Sequence, residues 1–239
     1  MSVPGANSEN AFFRSIKTFV MRGERMTRAQ KTAYESALHA EKCIEFASGG
    51  CTFEKLFGNT QSVIAEIGFG MGDATVKIAE KNPDKNYIGI EVYKSGVARL
   101  LCEIEKRALK NILIIEHDAL EVFAKMFPRA SLAGIHIFFP DPWPKKKHHK
   151  RRLLQKANIE RLTERLQDGG YIYFVTDWTD YAECAALEFA HVPALSAVDA
   201  AHNSLQKTLH DERGQTKFER KALKAGRTIH EFVYVKDGG

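Results

Sequence analysis

The sequence predicts a doubly wound α/β domain with a mainly parallel sheet, a short helical N-terminal extension and an antiparallel last strand. Three observations predict it. From residue 62 onward, apolar runs of four to six residues alternate with helix-compatible stretches. The runs lack the in/out alternation of a one-faced sheet, which is how strands covered by helices on both sides read. Residues 229–235 do alternate apolar and polar, as a half-exposed strand at a sheet edge does.

Residues 1–58 read as a basic, mostly helical extension, and 59–239 as the ligand-binding domain of one compact unit. In the extension, Thr27 to Phe46 is rich in Ala, Glu, Lys and Gln, all compatible with a helix. Ser62 to Ile67 is the first strand and runs into glycines; Asp73 to Asn82 follows as a helix stopped by Pro83, which disfavours helical geometry in the residue before it. Tyr87 to Ile90 is the second strand, Lys94 to Lys110 a helix, and Ile112 to Ile115 the third strand. A helix over 119–127 leads to the fourth, Ile135 to Phe139. Arg151 to Leu166 reads as helical, and Gly169-Gly170 precedes the fifth strand, Tyr171 to Val175.

The composition is that of a globular protein: 239 residues, 44% hydrophobic and 27% charged, with 7 Pro and 17 Gly, excluding disordered and collagen-like chains. No apolar run approaches the roughly eighteen residues of a membrane span, and the amino end lacks a basic stretch leading into an apolar one. Cys43, Cys51, Cys102 and Cys184 form no C-x-x-C pair, so reduced cysteines, a cytoplasmic location and no metal are expected. The formal charge is +5, yet Lys145 to Arg152 alone holds six cations. Residues 1–31 and Arg213 to Arg227 each carry six more. Three such clusters fit a polyanion, because concentrated Lys and Arg neutralise phosphates and release counterions.

In a doubly wound sheet, ligands bind at the carboxyl ends of the strands where strand order reverses. Five apolar runs end at or near an acid: Glu66, Glu91, Asp118, Asp141 and Asp177. After the first stands Gly68-Phe69-Gly70-Met71-Gly72, a turn that admits a ligand without a Cβ in the way. A dinucleotide fingerprint would place its third glycine where Asp73 stands, and a carboxylate at a helix start repels a diphosphate. Glu91, 19 residues after Gly72, is placed to accept from a ribose diol. A nucleoside without a diphosphate but with a charged amine describes S-adenosylmethionine.

These residues, with His117-Asp118-Ala119, resemble a class I S-adenosylmethionine-dependent methyltransferase of Rossmann-like fold. A more specific likeness lies in Phe138-Phe139-Pro140-Asp141-Pro142-Trp143-Pro144 with the basic run to Arg152, then Thr176-Asp177-Trp178, then Thr216-Lys217-Phe218-Glu219. In that order they resemble the bacterial tRNA (guanine-N7)-methyltransferase family, from about Phe19 to Glu219. The chain departs from the family at its end: Arg213-Gly214-Gln215 stands before Thr216, and Arg220-Lys221-Ala222 follows Glu219.

The resemblance implies methyl transfer from S-adenosylmethionine to guanine N7 of tRNA, at position 46 of the variable loop, releasing S-adenosyl-L-homocysteine. It implies cofactor contacts at Glu66, Gly68, Gly70, Gly72, Glu91, Asp118, Ala119 and Asp141, with Asp141 catalytic. Substrate contacts are implied at Lys145, Asp177, Thr216, Lys217, Phe218 and Glu219. The RNA backbone would be gripped by Lys147, His148, His149, Lys150, Arg151 and Arg152. The partner is tRNA, with no membrane and no metal, and the protein is expected as a monomer or weak homodimer. Trp143 and Trp178 could stack a base or cover core edges, and Met71 reads as packing. An exocyclic-amine methyltransferase would need a second Pro where Trp143 stands, Asp73 disfavours a nicotinamide enzyme, and a non-catalytic RNA-binding module leaves the row of strand-end acids unexplained.

Overall fold

Strands that lie between two helical layers need apolar side chains on both faces, and the first three do: Val63–Ile67 (β1), Asn86–Ile90 (β2) and Ile112–Ile115 (β3) are buried at every position. The computed structural model describes residues 17–20, 25–198 and 204–238. Among them a seven-stranded sheet adds Leu132–Phe138 (β4), Leu166–Thr176 (β5), Leu195–Ala197 (β6) and His230–Lys236 (β7), in the order β3-β2-β1-β4-β5-β7-β6. β1 to β5 are mutually parallel, and β7 runs antiparallel to both β5 and β6. The predicted antiparallel last strand is therefore present. It is not the edge, because the three-residue β6 lies outside it.

The helices are Arg28–Tyr34 (α1), Ala37–Lys42 (α2), Phe53–Phe57 (α3), Asp73–Lys81 (α4), Lys94–Arg107 (α5), Ala119–Lys125 (α6), Lys156–Thr163 (α7), Thr179–Ala190 (α8), Ser204–Arg213 (α9) and Lys217–Lys224 (α10). Alternate strand residues feed opposite cores. Ala65, Ile67, Ile88, Ile137 and Phe174 pack with Val122, Ile159 and Phe189 of α6, α7 and α8. Ile64, Tyr87, Ile114 and Tyr173 pack on the other face with Val76 of α4, Leu101 of α5 and Leu209 of α9.

Three elements depart from the sequence reading. Thr27 to Phe46 is two helices: Ser36 is extended at φ −85, ψ 167 between them, its hydroxyl donating back to the Ala33 carbonyl, and Cys43 leaves the second helix to bridge Ile114 of β3. The helix expected from Arg151 starts at Lys156. Residues Lys146–Arg151 form a 3-10 turn, and Arg152 is extended at ψ 136 with its side chain turned inward. β5 begins at Leu166 rather than Tyr171; its register slips opposite Leu132 and Gly134, and Gln167, Asp168 and Gly169 bulge into solvent.

Candidate active site

Chain order reverses between β1 and β4, so the carboxyl edge there is where a ligand is expected. A cleft of about 410 Å³ opens at that point. Gly68 and Gly70 floor it at φ 69 and 59, a conformation that glycine adopts without a Cβ penalty. α5 approaches this turn so closely that a Cβ on Gly96 would stand 2.1 Å from the Gly70 carbonyl oxygen. Gly96 thus sets the turn's position, a role not singled out in the sequence.

Glu91 braces the same turn. One carboxylate oxygen accepts from the Gly70 amide at 2.8 Å, and the other from the Val92 and Tyr93 amides at 2.8 and 3.2 Å. Burial raises its pKa, the three amides oppose that, and the Asp141 charge adds to it, which places Asp141 in electrostatic reach. Asp118 caps α6, accepting from the Leu120 amide at 3.0 Å through one oxygen. Both acids line the cleft with Ala119, Asp141 and apolar Ile67, Ile90 and Leu153.

Glu66 and Gly72 stand back from the cleft wall. Glu66 is buried on the sheet face beneath α4. Burial pushes its carboxyl up to about 7, the Thr75 hydroxyl draws it down, and the Glu91 charge adds to the rise. The adjacent residue on β4 is His136, whose Nε2 meets the Tyr171 hydroxyl at 3.0 Å.

Asp141 sits in a turn framed by two non-glycine residues in the left-handed region, Phe139 at φ 49 and Trp143 at φ 46. Trp143 is buried, its Nε1 donates to the Thr18 carbonyl at 3.0 Å, and the Arg151 guanidinium lies 3.8 Å over its ring. Arg151 in turn donates from Nε to the Lys17 carbonyl at 3.0 Å. These contacts hold Thr18, Phe19 and Val20 as one wall of the cleft, a contribution the sequence did not reveal. Both tryptophans cover protein: Trp178 packs partly buried against the core. Met71, expected as packing, is 43% exposed at the cleft.

The T-K-F-E segment divides by exposure. The Thr216 hydroxyl accepts from the Glu219 amide at 3.1 Å, a capping box at the start of α10. The buried Glu219 carboxylate accepts from Arg213 Nη1 at 2.6 Å, and Arg213, 0% exposed, also donates to the Tyr173 hydroxyl and to Glu231. The capping box leaves Phe218 60% exposed on the cleft rim, stacked on Phe139 with ring centroids 6.1 Å apart. Asp177 lies away from the cleft wall, held by Arg227 at 2.6 Å. In the basic run, Lys145, Lys147 and Lys150 are exposed, and His148 and His149 are half-buried. Arg152, expected to grip RNA, is instead buried at 1% exposure. Its guanidinium pairs with Asp180 and donates to the Pro142 carbonyl at 2.9 Å, so it cannot reach a backbone phosphate.

The donor set suits a nucleoside bearing a cationic amine. Apolar walls receive a base, Asp118 keeps an oxygen for an exocyclic amine, and the acids of the sheet edge favour positive charge. Glu91 spends three acceptor positions on backbone amides, leaving a carboxylate with about four such positions one for a hydroxyl.

A family model described as "Putative methyltransferase" matches residues 60–232. The tRNA (guanine-N(7)-)-methyltransferase of Treponema pallidum is 41% identical over 254 residues, covering 96% of this chain and 99% of that protein. The tRNA (guanine-N(7)-)-methyltransferase of Nitrosomonas eutropha is 42% identical over 223 residues, covering 92% of this chain and 96% of that protein. Among solved structures, the 16S rRNA methyltransferase KamB matches with a TM-score of 0.57 at 15% identity, over 78% of this chain and 93% of that one; the likeness is one of fold.

Proposed function

The chain belongs to the tRNA (guanine-N7)-methyltransferase family, and from that premise we propose which of its residues carry the reaction. It is an S-adenosylmethionine-dependent enzyme that methylates guanine N7 in tRNA. The target we assign is guanine 46 of the variable loop, acted on in the cytoplasm by a monomer or weak homodimer without a metal. We take residues 59–239 as the cofactor-binding domain and 1–58 as an extension, of which 1–16 and 21–24 lie outside the described residues and Thr18, Phe19 and Val20 line the cleft.

The chemistry that S-adenosylmethionine supplies when bound is an electrophilic methyl group on sulfur, with S-adenosyl-L-homocysteine left behind. Gly68 and Gly70 hold the amino-acid part, backed from behind the cleft wall by Gly72 and the buried Glu66, with Glu91 holding the ribose and Asp118 with Ala119 the base. Guanine N7 is an unprotonated acceptor with an in-plane lone pair, so the chain needs no general base to free the nucleophile. Its task is alignment, which can contribute roughly 7 to 11 kcal/mol of barrier lowering. Asp141 accepts from the guanine N1–H or N2–H and stabilises the positive charge that moves onto the ring. Phe218 on its Phe139 neighbour offers a face for the base, and Lys217 the adjoining cation. Thr216 and Glu219 serve the substrate site by fixing how α10 begins, and Asp177 serves it from outside the cleft, paired with Arg227. Lys145, Lys147, His148, His149 and Lys150 meet the backbone, while Arg151 holds the N-terminal segment.

One observation carries this reading: Asp141 and the exposed Phe218 line the same apolar cleft as Glu91 and Asp118. The test is methyl transfer from labelled S-adenosylmethionine to unmodified tRNA, with 7-methylguanine mapped by aniline cleavage. Cleavage at the variable loop is expected, and label elsewhere overturns the position. Asp141→Asn should lose about 100- to 1,000-fold in kcat, well beyond any change in cofactor affinity; full turnover would remove Asp141 from the assigned role.

A further inference from the structure

We propose that a second cleft, between α4, α5 and α10, binds a backbone phosphate of the tRNA, with Lys77 and Arg220 as its ligands. The proposal rests on the tRNA reading above. This cleft, of about 200 Å³, gathers five cations, Lys77, Arg99, Arg107, Lys217 and Arg220, against two acids, Asp73 and Glu103. The cations come from three helices that meet only in the folded chain, so the cluster is not one solvated helix face.

Its members are not equivalent. Glu103 pairs with Arg99 at 3.0 Å and with Arg107 at 3.2 Å, and Arg107 also reaches Glu80 at 2.7 Å. Those two arginines are largely neutralised. Lys77 and Arg220 have no carboxylate partner among the described residues. Instead Lys77 Nζ donates to the Gln215 carbonyl at 3.2 Å, and Arg220 Nη1 donates to the same oxygen at 3.3 Å. Two like charges therefore converge on one neutral acceptor. That arrangement is unfavourable until an anion joins it, and a phosphate offers each cation its own oxygen.

Position selects RNA over a free anion. Lys217 lies in this cleft and its neighbour Phe218 in the first; Asp73 lies in this cleft and follows Gly72 of the glycine turn. The two clefts therefore adjoin at the start of α10, so a strand with its guanine in the first would carry a flanking phosphate toward the second. Such contacts set the register of the nucleic acid without reading its sequence. Asp73 weakens the field here without reversing it.

The experiment compares wild type with Lys77→Gln/Arg220→Gln and with the charge-keeping Lys77→Arg/Arg220→Lys, measuring kcat, KM for tRNA, KM for S-adenosylmethionine and the salt dependence of tRNA affinity. The neutral pair should raise KM for tRNA several-fold and lower the slope of log affinity against log salt by about one per contact removed. kcat and cofactor KM should hold, and the charge-keeping pair should track wild type. An unchanged slope overturns the proposal, as does a cofactor KM that moves with the tRNA KM. Wild-type protein inactive on any tRNA would instead overturn the functional reading, and this proposal with it.

Discussion

Glu66 and His136, side by side on β1 and β4, titrate in opposition, and a single substitution should expose it. Burial raises Glu66 from 4.5 to about 7. Burial first, then the charges of Lys85 and Arg213, lowers His136 from 6.5 to about 3. Between pH 4.5 and 7 the folded chain keeps a Glu66 proton that the unfolded chain has released, so this group's contribution falls as pH rises. Between about pH 3 and 6.5 the unfolded chain carries a His136 proton that the folded chain excludes, so that contribution falls as pH falls. Each full proton difference is worth about 1.4 kcal/mol per pH unit, and the two slopes largely cancel where the windows overlap. Glu66→Gln removes one of them. Relative to wild type, its stability should rise by about 3 kcal/mol from pH 4.5 to 7, while His136→Gln should show the opposite slope. Urea unfolding of the cofactor-free protein, repeated across that range, measures both differences. Differences that stay flat within about 0.5 kcal/mol would refute the burial argument for either group.

Other consequences are open to measurement. If the ligand's ammonium acts on Glu66 from the cleft as proposed, it favours the ionised carboxylate, and binding S-adenosylmethionine near pH 7 should expel a fraction of a proton, read by calorimetry in buffers of different ionisation enthalpy; heats independent of buffer would contradict it. Arg213→Met leaves the Glu219 and Glu231 carboxylates without their buried partner. It should cost about 3 kcal/mol in urea unfolding, the low end of the usual range because Glu231 keeps His210, and a loss below about 1 kcal/mol would argue against the pairing. Gly96→Ala drives a methyl group into the Gly70 carbonyl and should weaken cofactor binding about 100-fold by titration; unchanged affinity would show the turn to be compliant. Trp143→Ala should release the 17–20 segment to protease while the sheet stays folded, whereas unchanged cleavage would mean the segment is held elsewhere.

What the chain revealed in advance follows from what is local. Val63–Ile67 and Ile112–Ile115 are legible as strands because both faces are buried and every position must be apolar. Leu195–Ala197 has three residues and no period to read. The acids were found at the strand tips because parallel strands bring all their carboxyl ends to one edge, a consequence of fold class alone. Partnership was not legible. Arg152 and Arg213 look like members of basic clusters, and only tertiary approach turns them inward to Asp180 and to Glu219 and Glu231. The cleft wall at Thr18 depends on a hydrogen bond spanning 125 positions, and Gly96 matters through the carbonyl of a distant turn.

The turn around Asp141 carries a further consequence. A non-glycine residue in the left-handed region costs on the order of 1 to 2 kcal/mol, and Phe139 and Trp143 bracket the Asp141 carboxylate with two of them. Directed evolution for heat resistance alone would therefore press on positions 139 and 143, favouring residues such as Asn that enter this conformation more cheaply, and would erode turnover as it succeeded. Selection for turnover at fixed temperature should hold both aromatics in place, so the two regimes would draw opposite substitution maps over the same five residues.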